Sequence, residues 1–285
     1  MGTKTKAHIN LFFLFYFISS LANGQEINND IPYHQFGIKK VTEYLFLFDN
    51  KQNVVDSIEV KETRINDNGK IAKVLSKNTS EYLDIYDYIY NRDSTLKEIK
   101  AYSTDKNKTL ASKKFVYDQR GLIKTEKPNV DGKNIGRTKR VYDTKGRIRQ
   151  ETIIHYPPRG YRVTLSYIYN ENGKVQRVVS SDKNYEIIEY EYDDDNQSVY
   201  THLIDKNDEK VLIQKKEFND LNKIEKEKNY CQFLLRIPDT TKIIVAKKGD
   251  IWITKYYYDN NGLLKTVKHW LNNTFVGMRT LEYES

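Results

Sequence analysis

Apolar and polar positions alternate with a period of two along most of this chain. In "RVTLSYIY", residues 162–169, Val163, Leu165, Tyr167 and Tyr169 fall on one side, while Arg162, Thr164, Ser166 and Ile168 fall on the other. Successive side chains of a β-strand point to opposite faces, so this pattern predicts strands rather than helices. The strands share a recurrent ending. An aromatic residue is followed by Asp or Asn, two variable residues, a Gly or Asn and a short aliphatic run, as in "KFVYDQRGLIKT", "KRVYDTKGRIRQ" and "KYYYDNNGLLKT".

Aligned on the residue after the aromatic, nine segments place Asp49, Asn66, Asn91, Asp118, Asp143, Asn170, Asp193, Asn219 and Asp259 at one position. The residue before is aromatic in all but one of them, where Ile65 stands. Three residues further on, Gly69, Gly121, Gly146, Gly173, Gly262, Asn196 and Asn222 supply the types that best tolerate a left-handed backbone. This is the chemistry of a hairpin with a type I turn and a bulged residue at positive φ, entered through an Asx side chain that bonds to the backbone. The geometry sets Tyr117 opposite Ile123, Tyr142 opposite Ile148, Tyr169 opposite Val175 and Phe48 opposite Val54; only Tyr192 faces a polar residue, Ser198. One sheet face is therefore expected to carry an aromatic ladder.

The motif recurs at Ile65, Tyr90, Tyr117, Tyr142, Tyr169, Tyr192 and Phe218, in steps of 25, 27, 25, 27, 23 and 26 residues. A step of this size holds one hairpin per repeat. From Phe218 to Tyr258 the step is 40, which predicts an insertion near 229–250. From Tyr258 to Tyr283 it is 25 again, so the closing "LEYES" is expected to pair as an edge strand. The expected fold is all-β, an antiparallel sheet of about nine consecutive hairpins, curled or partly wrapped.

Tyr142, Asp143, Gly146, Arg147 and Ile148 resemble the YD repeat of the Rhs family: Tyr-Asp, two variable residues, Gly, an often basic residue, then Leu or Ile. Tyr117, Asp118, Gly121 and Tyr258, Asp259, Gly262 match its core. The resemblance extends over residues 45–285 and implies a continuous sheet of hairpins, which in large members curls into a shell around a toxin or cargo, or serves cell-surface and carbohydrate contacts. Nine hairpins are expected to be too few for a large closed shell, and no toxin-sized C-terminal domain is expected. A short exported member without a toxin domain is the expectation.

Residues 1–24 read as an export signal, with Lys4 and Lys6 ahead of the apolar run Leu11–Ile18 and small residues before Gln25. A single domain, 25–285, follows. Its apolar runs fall short of the roughly 20 residues of a membrane-spanning helix, and Lys, Arg and Glu interrupt the strands, so no transmembrane segment is expected in the mature chain. Cys231 is the only cysteine, which rules out an intrachain disulfide. The net charge is +8, with basic residues scattered among acidic ones as in "NKIEKEKNY". That distribution fits a solvated surface better than the concentrated basic stripe of a nucleic-acid binder, and no nucleic acid is expected as a partner.

Candidate chemistry is sparse. The acidic run from Glu189 to Asp195 fails as an EF-hand loop, because Ser198 stands where Gly is needed and Ile204 where a bidentate Glu is needed. His34, His155, His202 and His269 are dispersed without zinc spacing, and neither a phosphate loop nor a nucleophile elbow is present. No metal, cofactor or catalytic residue is expected. Two aromatics outside the repeat pattern, Trp252 and Trp270, are the candidate binding residues, since an aromatic face can stack on a sugar ring. The function implied is an exported, non-catalytic scaffold or binding protein, periplasmic, surface-held or secreted, presenting its sheet to a cell-envelope protein or glycan. The alternatives are a hydrolase acting on glycans and an inhibitor or immunity-type protein.

Overall fold

The computed structural model describes residues 33–48, 53–77, 83–103, 108–157, 160–181, 187–204, 207–230, 235–237, 244–246 and 248–285. The expected signal and Cys231 lie outside them. The described residues form 21 strands, and no helix is long and apolar enough to cross a membrane. The first ten are β1 (Lys40–Phe48), β2 (Val54–Ile65), β3 (Ile71–Lys77), β4 (Leu83–Tyr90), β5 (Leu96–Ser103), β6 (Lys108–Tyr117), β7 (Ile123–Val130), β8 (Lys133–Asn134), β9 (Gly136–Tyr142) and β10 (Ile148–His155). Then come β11 (Tyr161–Tyr169), β12 (Val175–Ser180), β13 (Ile187–Asp193), β14 (Ser198–Ile204), β15 (Lys210–Phe218) and β16 (Ile224–Tyr230). The last five are β17 (Leu235–Ile237), β18 (Ile244–Ala246), β19 (Ile251–Tyr258), β20 (Leu264–Leu271) and β21 (Thr274–Glu284).

Consecutive strands pair antiparallel from β1 through β7, then β9 through β16, then β19 through β21. Finally β21 pairs with β1, from Lys40 opposite Glu284 to Phe46 opposite Met278. The curled antiparallel sheet is, more closely, a closed barrel of 18 strands. One expectation is corrected. The segment "LEYES" is not an edge, because β1 occupies its open side. The barrel closes with nine hairpins, the two ends of the described chain supplying one strand each to the ninth. Tyr283 faces Val41 across that seam, and its hydroxyl donates to the Leu264 carbonyl at 2.5 Å. The seam therefore repeats the aromatic–aliphatic pair of the other hairpins.

The predicted register holds at Tyr90–Leu96, Tyr117–Ile123, Tyr142–Ile148, Tyr169–Val175, Phe218–Ile224 and Tyr258–Leu264. It fails at Tyr192, which faces Val199, while Asp193 faces Ser198. The hairpin there is one residue longer than expected, and Gln197 rather than Asn196 takes the positive φ. The apolar pair is kept, so packing overrode turn propensity. Phe48 does face Val54, but this turn belongs to the other end of the barrel, since Phe48 runs toward Phe275 beside the β20–β21 turn, whereas Ile65 lies beside Lys39. Between β16 and β19 the repeat break carries a separate two-stranded sheet of β17 and β18.

Every substantial contact between ring strands joins neighbours in the ring, so the wall is a single layer. Its two faces differ. Ile65, Val74, Leu165, Val178, Ile188, Trp252 and Val267 share the face of the motif tyrosines and are buried. Val116, Val141, Ile168 and Tyr257, one residue out of phase, are exposed on the other face. Side chains on the concave side of a closed sheet converge and shield one another, which assigns the tyrosine face to the interior and the charge-rich face to the outside.

Candidate functional site

The repeat motif is the first place to seek a site, and its side chains are fully used in construction. Asp118 Oδ1 accepts from the Arg120 and Leu122 N–H groups at 2.9 Å each, and Asp143 Oδ1 does the same for Lys145 and Arg147. Asn219 and Asp259 repeat the arrangement. Backbone N–H donation depresses the Asp118 carboxyl below its ordinary value, with Leu122 the largest cause. Gly121, Gly146, Gly173 and Gly262 hold φ between 76° and 80°, where a side chain would be strained.

The tyrosine hydroxyls have a task that sequence reasoning missed. Tyr90, Tyr117, Tyr142, Tyr169, Tyr192, Tyr258 and Tyr283 each donate to the backbone carbonyl of the aliphatic motif residue one hairpin earlier: Ile71, Leu96, Ile123, Ile148, Val175, Ile224 and Leu264. Each bond staples adjacent repeats and contributes about 1 kcal/mol. Burial, the leading cause, pushes the Tyr90 and Tyr258 hydroxyls up to about 12. The motif's basic residue covers the next tyrosine: Arg147 lies 4.2 Å from the Tyr169 ring centroid, Lys174 4.8 Å from Tyr192 and Lys223 5.3 Å from Tyr258. The legible signal was the preference for Tyr over Phe at the motif position, because a buried hydroxyl needs a partner.

A second cluster, also missed, sits on the interior face across β6, β7, β9, β10 and β11. Arg140 bridges two carboxylates, with Nη1 2.6 Å from Glu126 Oε1 and Nε 2.8 Å from Glu151 Oε1. Lys113 Nζ adds a contact to Glu126 at 3.2 Å, and Tyr167 donates to Glu151 Oε2 at 3.4 Å. The Glu151 side chain is 0% exposed. Burial drives its carboxyl above the usual range, and Arg140 offsets this only in part. Burial acts on Glu126 too, but Arg140 and Lys113 together outweigh it and hold that carboxyl low. The residues are spread over five neighbouring strands, so only the register brings them together.

The candidate tryptophans lie on opposite faces. Trp252 is opposite Asn229 on the interior face, is 7% exposed and stacks on His269 with centroids 5.3 Å apart. Its Nε1 donates to Thr254 Oγ1 at 3.1 Å, and that hydroxyl also contacts His269 Nδ1 at 3.1 Å. Nearby, Gln214 Nε2 donates to Glu227 and Asn229 at 3.0 and 2.9 Å. Trp270 is opposite Ile253 on the outer face, edge-on to Phe275 with Lys255 Nζ 5.2 Å from its ring centroid. The two rings cannot stack on one ligand. The acidic run is spent on ion pairs: Glu189 meets Arg177 and Lys210 at 2.7 Å each, Lys210 reaches Glu191 at 3.3 Å, and Asp193 caps its own turn through the Asn196 N–H.

Among solved structures, a porin-like protein from Bacteroides uniformis is 11% identical with a TM-score of 0.42, the match covering 87% of this chain and 96% of that one. A TcdB2–TccC3 complex is 10% identical with a TM-score of 0.33, and a Tc holotoxin pore from Photorhabdus luminescens is 10% identical with a TM-score of 0.29. Each of these two matches covers 82% of this chain, but only 15% and 16% of the larger one. None of the three says what this chain binds. No curated protein matches. Residues 87–276 match the Teneurin YD-shell family, of extracellular, secreted type, and with two thirds of its length inside that match the chain belongs to this family.

Proposed function

We propose that this chain is an exported, non-catalytic scaffold whose barrel wall presents its outer face to a cell-envelope partner, a glycan or a protein. The observation that carries this reading is the state of the interior carboxylates gathered on Arg140. A glycan hydrolase needs a protonated acid that can reach the glycosidic oxygen and a second carboxylate facing the sugar. Glu126 and Glu151 are both held on Arg140, and Glu151 is fully buried. Among the described residues no group of His, Cys, Asp and Glu is disposed to hold a metal. The Lys, Arg and Glu side chains on the outer face favour water over lipid around the wall, since a membrane barrel needs an apolar outer band.

The test is to incubate the mature protein with envelope glycans and extracts, following both saturable retention and the release of reducing ends. Retention without turnover is expected. Release of reducing ends that disappears in Glu126→Gln would overturn the reading in favour of a hydrolase.

A further inference from the structure

We infer that the outer face across β6, β7, β9, β10 and β11 is a docking strip for an anionic polysaccharide, an inference that rests on the non-catalytic binding role proposed above. The register places Ser112, Lys114 and Val116, Thr125 and Lys127, Arg137, Lys139 and Val141, Gln150, Thr152 and Ile154, and Arg162, Thr164, Ser166 and Ile168 on this one face. Not one of them is acidic. The carboxylates of these strands, Glu126 and Glu151, point to the interior, where they hold Arg140. Both acidic residues of these strands thereby face the interior, and their outer face keeps cations alone.

Lys114 stands directly opposite Lys127. The β7–β9 register, Thr125 opposite Lys139 and Glu126 opposite Thr138, continued by one residue, sets Lys127 beside Arg137. Arg137 is opposite Ile154, which is opposite Arg162. Four cations therefore form one row across five strands, about 19 Å at the usual strand spacing, with Lys139 in the next row. Like charges facing each other across strands are destabilising without a counter-charge. Glu98 of β5 faces Lys114 at one end of the row, whereas Lys127, Arg137, Lys139 and Arg162 have no carboxylate opposite them in the register, and Arg137 Nε is buried without a hydrogen-bond partner. Lys114, Lys127, Lys139 and Arg162 are exposed.

Elsewhere on this face the cations are engaged: Lys226, Lys255 and Lys268 also stand opposite one another, but Glu217 holds the first and the Trp270 and Tyr257 rings lie 5.2 and 5.3 Å from the other two. Lys215 and Lys226 share Glu217 at 2.9 and 3.1 Å, and Arg177 and Lys210 share Glu189. The row Thr125, Lys139, Thr152, Thr164 adds hydroxyls, with Thr152 and Thr164 Oγ1 atoms 3.3 Å apart. A linear strip of cations flanked by hydroxyls and the Gln150 amide suits a polymer bearing both anionic groups and sugar hydroxyls. The strip carries no aromatic ring, so nucleic-acid bases would find no stacking platform.

The experiment measures binding of the mature protein to heparin, polygalacturonate, neutral dextran and single-stranded oligo(dT) across a salt series. Heparin and polygalacturonate are expected to bind, weakening steeply with salt, while dextran does not. Lys127→Gln combined with Lys139→Gln should lower heparin affinity roughly tenfold. Lys226→Gln with Lys228→Gln, on the same outer face of β16, should leave it within about twofold, since only diffuse charge is lost there. Failure to bind either polyanion, an equal loss in the β16 variant, or tighter binding of oligo(dT) would each overturn the inference. A barrel that ignores heparin yet retains an envelope protein or neutral glycan would overturn this strip and leave the scaffold role standing. Cleavage of bound heparin would do the reverse.

Discussion

The stretch from β4 to β12 and the stretch from β15 to β20 hold the same wall together by partly different means. In the first, every junction between repeats uses one device, a tyrosine hydroxyl on the previous hairpin's carbonyl, with Arg120 over the Tyr142 ring and Arg147 over the Tyr169 ring. The second keeps the device at β16–β19, where Tyr258 donates to the Ile224 carbonyl under Lys223, but Phe218 has no hydroxyl to give to β14, and the repeat spacing breaks. There the wall is tied by a local polar set on the interior face: Gln214 with Glu227 and Asn229, and Trp252 with Thr254 and His269. Around the break the fold adds side-chain bonds on its interior face, as it also does about Arg140 in the regular stretch. The comparison teaches that the motif is a joint rather than a recognition code, and that irregular polar clusters are not by themselves evidence of a binding site.

The largest effect is expected where the regular stretch departs from its apolar interior. Arg140→Ala leaves Glu126 and the fully buried Glu151 without their shared cation and should cost about 3–5 kcal/mol in urea unfolding. In the irregular stretch, Trp252→Ala removes a buried ring and should cost about 3–5 kcal/mol as well, near the lower end if His269 settles into the space. A cost under about 1 kcal/mol for Trp252→Ala would show that the ring is not a packing element and would reopen it as a ligand residue.

Much of the regular stretch was legible beforehand. Gly121, Gly146 and Gly173 announce the positive-φ turn position, and alternation in "RVTLSYIY" assigns the faces. The hairpin register follows from these two alone. Ring closure was not legible, because it depends on how the twist and tilt accumulate over 18 strands, a global quantity that no local pattern encodes. Nor was the pairing of Tyr192 with Val199, where keeping an aliphatic partner outweighed the preference of Asn196 for the left-handed conformation. The Glu126–Arg140–Glu151 cluster and the row of cations behind it stayed hidden for one reason. Linear charge mixing says nothing about faces until the register is known, and only then do the carboxylates of β7 and β10 fall together on the interior face.

Smaller substitutions sharpen the contrast between the two kinds of junction. Tyr169→Phe keeps the ring under Arg147 but deletes the bond to the Ile148 carbonyl, and should cost about 1 kcal/mol. The reciprocal change, Phe218→Tyr, offers a hydroxyl to the carbonyl of Val199, the residue at the corresponding place one hairpin earlier. It should stabilise by about 0.5–1 kcal/mol. A gain of this size from a single added oxygen would show that the junction at the break keeps the regular geometry and lacks only the donor. A loss would show that the backbone there has already moved to suit the polar set on β15 and β16.

The smallest effect separates turns led by Asp from those led by Asn. Asp118 and Asn219 accept the same two backbone N–H bonds, but only Asp118 titrates. Its carboxyl is held below the ordinary value in the folded protein, so the stability it contributes is fully present above the unfolded-state value. That contribution is lost as the pH falls through the depressed folded value. Asp118→Asn retains the acceptor oxygen and should leave stability near neutral pH almost unchanged, while flattening the acid limb of the unfolding curve below about pH 4. Asn219→Asp should steepen that limb. If both variants trace the same acid limb as the parent, the turn carboxylates do not set the acid sensitivity, which would then rest with the buried pair on Arg140. Glu126, held low, would lose its stabilising charge in acid, whereas Glu151, held high, would be relieved of its burial cost.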